Sequence, residues 1–315
     1  SKTDIEFAIQ KDIKLINVES FNELKIIDEI GKNINKKVNI GIRLNPDIDS
    51  QSIEKISTGN RTDKFGIALE QLDKVISQIQ LSNYINLKGI SCHIGSQIHN
   101  IDTFKKIFKT MKKTASYVLS KKINLQYVDL GGGLGVNYER EKNDFDIRGL
   151  GQLAKLVFKD EPYEISFEPG RYIIAKSGIL ITKILTVKEN GGINFLITDA
   201  GMQTFIRPAM YNAYHHIEAL NDLDQNVVLY TVAGPICESS DIIGREINLP
   251  EQKEGNFLII NDVGAYGAVM SSNYNSRGFP SEILVHHDEF ALIRPKESID
   301  EIIKKDLIPK WLLSN

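Results

Sequence analysis

Several short stretches of this chain gather side chains that could do chemistry. In Tyr127-Val128-Asp129-Leu130-Gly131-Gly132-Gly133-Leu134-Gly135, apolar residues around one Asp read as a short buried strand. The glycine run after it lets backbone N–H groups approach an anion without Cβ interference, which suits a phosphate; the same run also makes a plain tight turn. His93, in Gly89-Ile90-Ser91-Cys92-His93-Ile94-Gly95-Ser96-Gln97, is either a satisfied core histidine or a ring able to stack on a flat cofactor, with Ser96 free to donate to a phosphate. Glu168-Pro169-Gly170-Arg171 sets a carboxylate, a stiff turn, a small residue and a guanidinium side by side, and a structural salt bridge is the plainer use of them. Cys237 is either a small buried hydrophobe or a proton donor, and its acidic, turn-borne neighbours Glu238 and Asp241 bear on that choice.

The elements that must position these groups alternate. Thr3 to Glu6 has the form of a capping box opening a helix, and Lys14 to Val18 reads as a strand. Ser20 with Glu23 caps a helix that Gly31 is placed to end. Further strands are predicted at Val38 to Leu44, Leu87 to His93, Tyr127 to Leu130 and Glu164 to Glu168, with helices between them, a loop from Asn45 to Gly66 and a polar insertion carrying Arg140. Strands alternating with helices imply a parallel sheet, and without an early G-x-G-x-x-G fingerprint a barrel is favoured over a dinucleotide fold. The expected class is α/β plus β: a partial (β/α)8 barrel, about five of eight strands, over residues 1–176, then a mainly antiparallel β domain over 177–315. Its strands are predicted at Ile179 to Val187, Phe195 to Thr198, Val227 to Val232, Phe257 to Asn261 and Ile283 to Val285, and the two parts are expected to pack as one body. In a barrel the working groups sit at strand C-termini, which selects Arg43, His93, the glycines at 131–133 and Glu168.

Bulk composition narrows the function. The 315 residues are 42% hydrophobic and 25% charged with a net charge of -3, the profile of a soluble globular protein without general attraction to nucleic acid or anionic membrane. Its two cysteines, Cys92 and Cys237, lack metal-ligand spacing, so a cytoplasmic location is expected and no metal site is. The adjacent pairs His215-His216 and His286-His287 point in different directions and are read as structural or exposed.

Taken together and in order, Ser91 to Gln97, Asp129 to Gly135, Glu168 to Arg171, Ile206-Arg207-Pro208-Ala209-Met210-Tyr211, Gly234 to Asp241 and Gly264-Ala265-Tyr266-Gly267 resemble the diaminopimelate decarboxylases, fold-type III enzymes dependent on pyridoxal 5'-phosphate (PLP). The likeness extends to Ser271-Ser272-Asn273-Tyr274-Asn275-Ser276-Arg277. It implies that Gly131, Gly132, Gly133, Ser96 and Glu168-Pro169-Gly170-Arg171 hold the cofactor, with Tyr266 at its phosphate end. His93 would stack on the pyridine ring and Glu168 would pair with the ring nitrogen, keeping it protonated. Arg171, Arg207 and Tyr211 would bind a substrate carboxylate, with Tyr266 alongside, and Glu238 the distal ammonium group. Cys237 would be the proton donor, contributed across the interface of a homodimer with shared active sites.

The implied reaction is decarboxylation of meso-2,6-diaminopimelate to L-lysine. Where the resemblance implies a Schiff-base lysine on a first barrel strand, no segment of this chain matches, and Lys64 corresponds to a loop. The chain is therefore expected to lack the front of its barrel and to be inactive alone. Two alternatives stand beside this one: a decarboxylase of another basic amino acid or carboxylated polyamine, and a non-catalytic dimerising homologue.

Overall fold

Short strands that hold their apolar residues against amphipathic helices build the first part of the chain. The computed structural model describes residues 1–48, 58–59, 63–139, 144–220 and 226–313. Arg140 and most of the loop expected between Asn45 and Gly66 lie outside the described residues. The chain divides into two compact units, Ser1–Asn137 with Asn143–Tyr172, and Tyr138–Lys142 with Ile173–Asn315.

In the first unit the elements run α1 (Lys2–Gln10), β1 (Ile16–Val18), α2 (Phe21–Ile34), β2 (Val38–Asn45), β3 (Ile67–Ala68), α3 (Leu72–Leu81), β4 (Ile85–Cys92), α4 (Ile101–Ser120), β5 (Tyr127–Asp129), α5 (Ile147–Val157) and β6 (Glu164–Ser166), and α6 (Gly170–Ile174) follows. The sheet has the order β1-β2-β4-β5-β6, all parallel, with the two-residue β3 pairing β2 off that path. Sequential parallel strands linked by helices are the wall of a (β/α)8 barrel. Each long helix buries one stripe on this wall; α4 contributes Phe104, Ile107, Phe108, Met111, Ala115 and Val118, and its lysines stay largely in water.

Two helix boundaries differ from expectation for local reasons. The first helix opens on Ser1, whose side chain accepts from the Asp4 backbone N–H while the Asp4 carboxylate returns to the Ser1 amino group, so Thr3 and Glu6 lie inside the helix. Gly31 does not end α2; that helix continues to Ile34 and is closed by Asn35 in the left-handed region, φ 50°. The glycine is there for packing, since a Cβ at 31 would stand 2.9 Å from the Lys36 carbonyl oxygen and the Tyr84 Cβ. The expected cap at Ser20 is present, with its hydroxyl accepting from the Glu23 N–H.

The second unit is a sheet of order β11-β10-β8-β7-β12-β9, built from β7 (Leu180–Asn190), β8 (Ile193–Thr198), β9 (Ile217–Ala219), β10 (Val227–Ala233), β11 (Ile242–Pro250) and β12 (Phe257–Ile260), with α7 (Arg207–Tyr211) inserted after β8. Its pairings are antiparallel except that β10 runs parallel to β8. A hairpin of β13 (Glu282–His286) and β14 (Glu289–Arg294) precedes the short α8 (Ile299–Ile303). Ile184, Leu196, Phe205, Tyr230, Val232 and Leu258 form the centre of this unit's own core. No helix among the described residues is long and apolar enough to cross a membrane.

Candidate active site

The parallel register sets the level at which the strands of the first unit end. Arg43 on β2 lies beside Ser91 on β4, Ser91 beside Asp129 on β5, and Asp129 beside Ser166 on β6. His93, the glycine run and Glu168 therefore leave the sheet together, one or two residues beyond that row, and barrel enzymes place their working groups at this C-terminal edge.

Loop and imidazole are joined. The Gly132 N–H donates to Nδ1 of His93 at 3.1 Å, so Nδ1 carries no proton and the ring is the Nε2–H tautomer. Burial, and then the Arg43 charge, hold the His93 pKa below its ordinary value against a smaller opposing pull from Asp129. Nδ1 also stands 3.9 Å from the Glu168 carboxylate, but that contact is an ion pair only for a protonated ring. The Gly132 hydrogen bond and the burial both select the neutral form.

No side chain larger than hydrogen fits in the loop. A Cβ at Gly132 would meet the Glu168 carbonyl oxygen at 2.0 Å, one at Gly131 the Cys92 carbonyl at 2.3 Å, and one at Gly133 the Gly95 carbonyl at 2.2 Å. Gly131 and Gly133 also take φ of 68° and 87°, a region that L side chains rarely adopt. The Asp129 carboxylate accepts from the Gly131 N–H at 2.8 Å, and the Gly131 carbonyl accepts from the Glu168 N–H at 2.8 Å, so β5 and β6 deliver their loops as one piece.

Arg171 is buried and aims at the same edge, with its Nε and Nη2 donating to Ser96 Oγ at 3.1 and 2.9 Å. Since Ser96 accepts both, its own proton turns away from the guanidinium. Gly170 leaves open space, with nothing within 4 Å of a Cβ built there. Burial raises the Glu168 pKa first, and the neighbouring Asp129 carboxylate raises it further, against Arg43. A carboxylate crowded in this way gains from a cationic N–H placed beside it. These residues fit a planar, anionic cofactor with a protonated ring nitrogen: backbone and side-chain donors for a phosphate, a neutral imidazole for a ring face, and an acid for the nitrogen.

The second unit presents its own cluster. Asp241 ties the Gly234 to Asp241 turn to the one after β8: its carboxylate accepts from the Ile236 N–H at 2.7 Å and the Met202 N–H at 2.6 Å. Burial lifts the Asp241 pKa, and the same two N–H groups oppose that shift. The turn carries Cys237, which is exposed, and Glu238. Tyr274 donates its hydroxyl to Glu238, and Asn275 Nδ2 lies 3.5 Å from Cys237 Sγ. On α7, Arg207 is buried and Tyr211 follows four residues later, on the same helix face. Tyr266, at φ 56°, is 42% exposed, in the loop after β12.

The sequence motifs contain Tyr274 and Asn275 without giving them a role, and they enlist Asp241 only as an acidic neighbour of Cys237. The only signal was their acid, hydroxyl and amide chemistry in turn-rich stretches. Among the described residues no group of three or more His, Cys, Asp or Glu side chains is arranged to hold a metal ion.

Residues 1–175 match the family model described as "Pyridoxal-dependent decarboxylase, pyridoxal binding domain", which defines the class. The diaminopimelate decarboxylase of Aquifex aeolicus is 36% identical over 308 residues, covering 97% of this chain and 73% of that protein. That of Archaeoglobus fulgidus is 38% identical over 320 residues, covering 99% and 76%. Among solved structures, diaminopimelate decarboxylase from M. jannaschii in co-complex with L-lysine superposes with a TM-score of 0.93 at 35% identity, covering 99% of this chain and 73% of that one. The Helicobacter pylori enzyme complexed with L-lysine gives 0.90 at 35% identity, covering 97% and 76%. The chain belongs to the diaminopimelate decarboxylase family of pyridoxal-dependent decarboxylases.

Proposed function

We propose that this chain serves the PLP-dependent decarboxylation of meso-2,6-diaminopimelate to L-lysine and CO2, supplying residues for the cofactor, the substrate and the returning proton, while the Schiff-base lysine is matched by no segment of it. The observation that carries the reading is the joined edge of the first unit, where a neutral His93, a glycine loop closed to any Cβ, a buried Arg171 and the Glu168 carboxyl meet. Relatives 36–38% identical over nearly the whole chain support the substrate.

PLP, when bound, supplies an electron sink for the pair released as CO2 leaves. Gly131, Gly132, Gly133, Ser96, Gly170 and Arg171 would hold its phosphate, with Pro169 stiffening the turn and Tyr266 at the phosphate end. His93 would lie against the ring face, and its neutrality would avoid setting a second cation against the ring. The Glu168 carboxylate would face the ring nitrogen and favour its protonated form. Arg207 and Tyr211 bind a substrate carboxylate with Arg171 and Tyr266 alongside, and Glu238 takes the distal ammonium group. Cys237 delivers a proton to the carbon that has lost CO2, and Asn275 and Tyr274 steady it and Glu238.

The enzyme works in the cytoplasm as a homodimer in which Cys237 and Glu238 complete the partner's site. Their exposed position supports this, as a second subunit can cover it, and a working thiol suits a reducing compartment. Relative kcat/KM for meso-diaminopimelate, L-ornithine and L-arginine tests the substrate assignment. A preference for either of the others would overturn it.

A further inference from the structure

His215 sits where an unremarkable core histidine would, yet its two nitrogens are committed in opposite senses. Nδ1 lies 3.0 Å from the backbone carbonyl oxygen of Asn261, which can only accept, so Nδ1 carries the proton. Nε2 is then an acceptor, and Nε of the buried Arg207 donates to it at 3.2 Å. The ring is neutral by geometry. It stands edge-on between Tyr138 and Phe205, with centroids at 4.7 and 4.6 Å, and the Arg207 guanidinium lies 5.4 Å above the Tyr138 ring. Asn261 is itself placed by the pairing of β12 with β9: its N–H donates to the His216 carbonyl at 2.9 Å and its side-chain amide to Glu218 at 2.9 Å.

We propose that His215 is a positioning residue for the substrate-carboxylate clamp, fixing the plane of the Arg207 guanidinium through Nε. The proposal rests on the reading of Arg207 as a carboxylate ligand. A guanidinium recognises a carboxylate as a planar fork, so its plane must be set before the substrate arrives. A hydrogen bond at Nε does this, because Nε and both Nη groups share one plane. The acceptor must also be neutral. A carboxylate in this place would hold Arg207 as well, but would cancel the charge that the substrate needs.

The test uses the holoenzyme with His215→Phe, which keeps a flat ring between Tyr138 and Phe205 but loses the acceptor, and His215→Gln, whose amide oxygen restores one. His215→Phe raises KM for meso-diaminopimelate and Kd for L-lysine by about tenfold, the scale of one hydrogen bond to a charged group, and leaves kcat within about twofold. His215→Gln recovers most of that affinity. In an Arg207→Ala background the Phe substitution adds nothing further, because its effect runs through the arginine.

If Arg207→Ala raises KM and His215→Phe does not, the clamp stands and the positioning role falls. If Arg207→Ala itself leaves KM and Kd unchanged, the clamp reading falls and takes this proposal with it. Nitrogen-15 shifts of the wild-type ring give a check that survives a variant failing to fold: a neutral Nδ1–H ring supports the proposal, and an Nε2–H or doubly protonated ring overturns it.

Discussion

His93 and Gly132 share a hydrogen bond in which the glycine backbone donates to Nδ1 at 3.1 Å, and that single contact links the protonation state of the imidazole to the shape of the loop. A protonated ring would lose its acceptor and push against the Gly132 N–H, so the loop and the neutral ring sustain each other. Glu168 lies within reach of the same nitrogen at 3.9 Å, and burial, then the Asp129 charge, raise the pKa of its carboxyl.

Glu168→Gln separates stability from function. Its folded pKa is raised, so the folded protein holds more protons than the unfolded chain once the pH exceeds about 4.5. The wild type therefore keeps its full stability below that value and loses part of it as pH rises through the folded pKa. Without cofactor at pH 7, the glutamine variant should be the more stable by less than about 1 kcal/mol, the discount reflecting a half-exposed side chain, and the difference should close near pH 4. With PLP and substrate, kcat should fall by at least about a hundredfold, the range of general acid–base catalysis. Urea titrations at the two pH values and steady-state rates check this; a variant less stable than wild type at pH 7 counts against the carboxyl pair.

Gly132→Ala should cost about 2–3 kcal/mol and abolish PLP retention, because its Cβ would overlap the Glu168 carbonyl at 2.0 Å, where backbone cannot give way. Gly151→Ala, in α5, is the contrast: nothing lies within 4 Å of its Cβ, and a helix interior gains about 0.5–1 kcal/mol from the change. Thermal unfolding and retained cofactor absorbance measure both. Equal and small effects would show that the loop tolerates a methyl group.

Much of this site was readable in the sequence because it is local. Glu168 and His93 stand just past strands whose apolar runs are plain, and Gly131 to Gly133 follow one directly. Relations that depend on distant backbone were not readable. Asp241 meets the N–H of Met202, far back along the chain, and the proton on His215 is decided by a carbonyl at Asn261. β11 went unanticipated because Gly244, Arg245 and Glu246, the last at φ 55°, interrupt its alternation, and the register against β10 slips between Tyr230 and Val232. Gly31 has the look of a helix terminator but serves close packing against Tyr84.

The two thiols should differ sharply in reactivity. Cys92 is fully buried on β4, and burial, then the Asp129 charge, push its pKa up to about 12, so it stays an unreactive thiol at neutral pH. Cys237 is exposed. Iodoacetamide on the native protein should alkylate Cys237 alone and abolish decarboxylation, with bound substrate protecting it. Peptide mass mapping reads the site, and modification of Cys92, or full activity after complete alkylation of Cys237, would remove the thiol from the mechanism.

The reaction itself is the most direct test. Incubated with PLP and meso-diaminopimelate in deuterated water, the holoenzyme should release one CO2 for each L-lysine formed, with one deuterium on the carbon that lost the carboxylate. Cys237→Ala should slow that turnover by about a hundredfold or more without a matching loss of bound PLP. CO2 and lysine appearing in that ratio, with the label at that carbon, is the result predicted here; no lysine from meso-diaminopimelate, with faster CO2 release from ornithine or arginine, would contradict it.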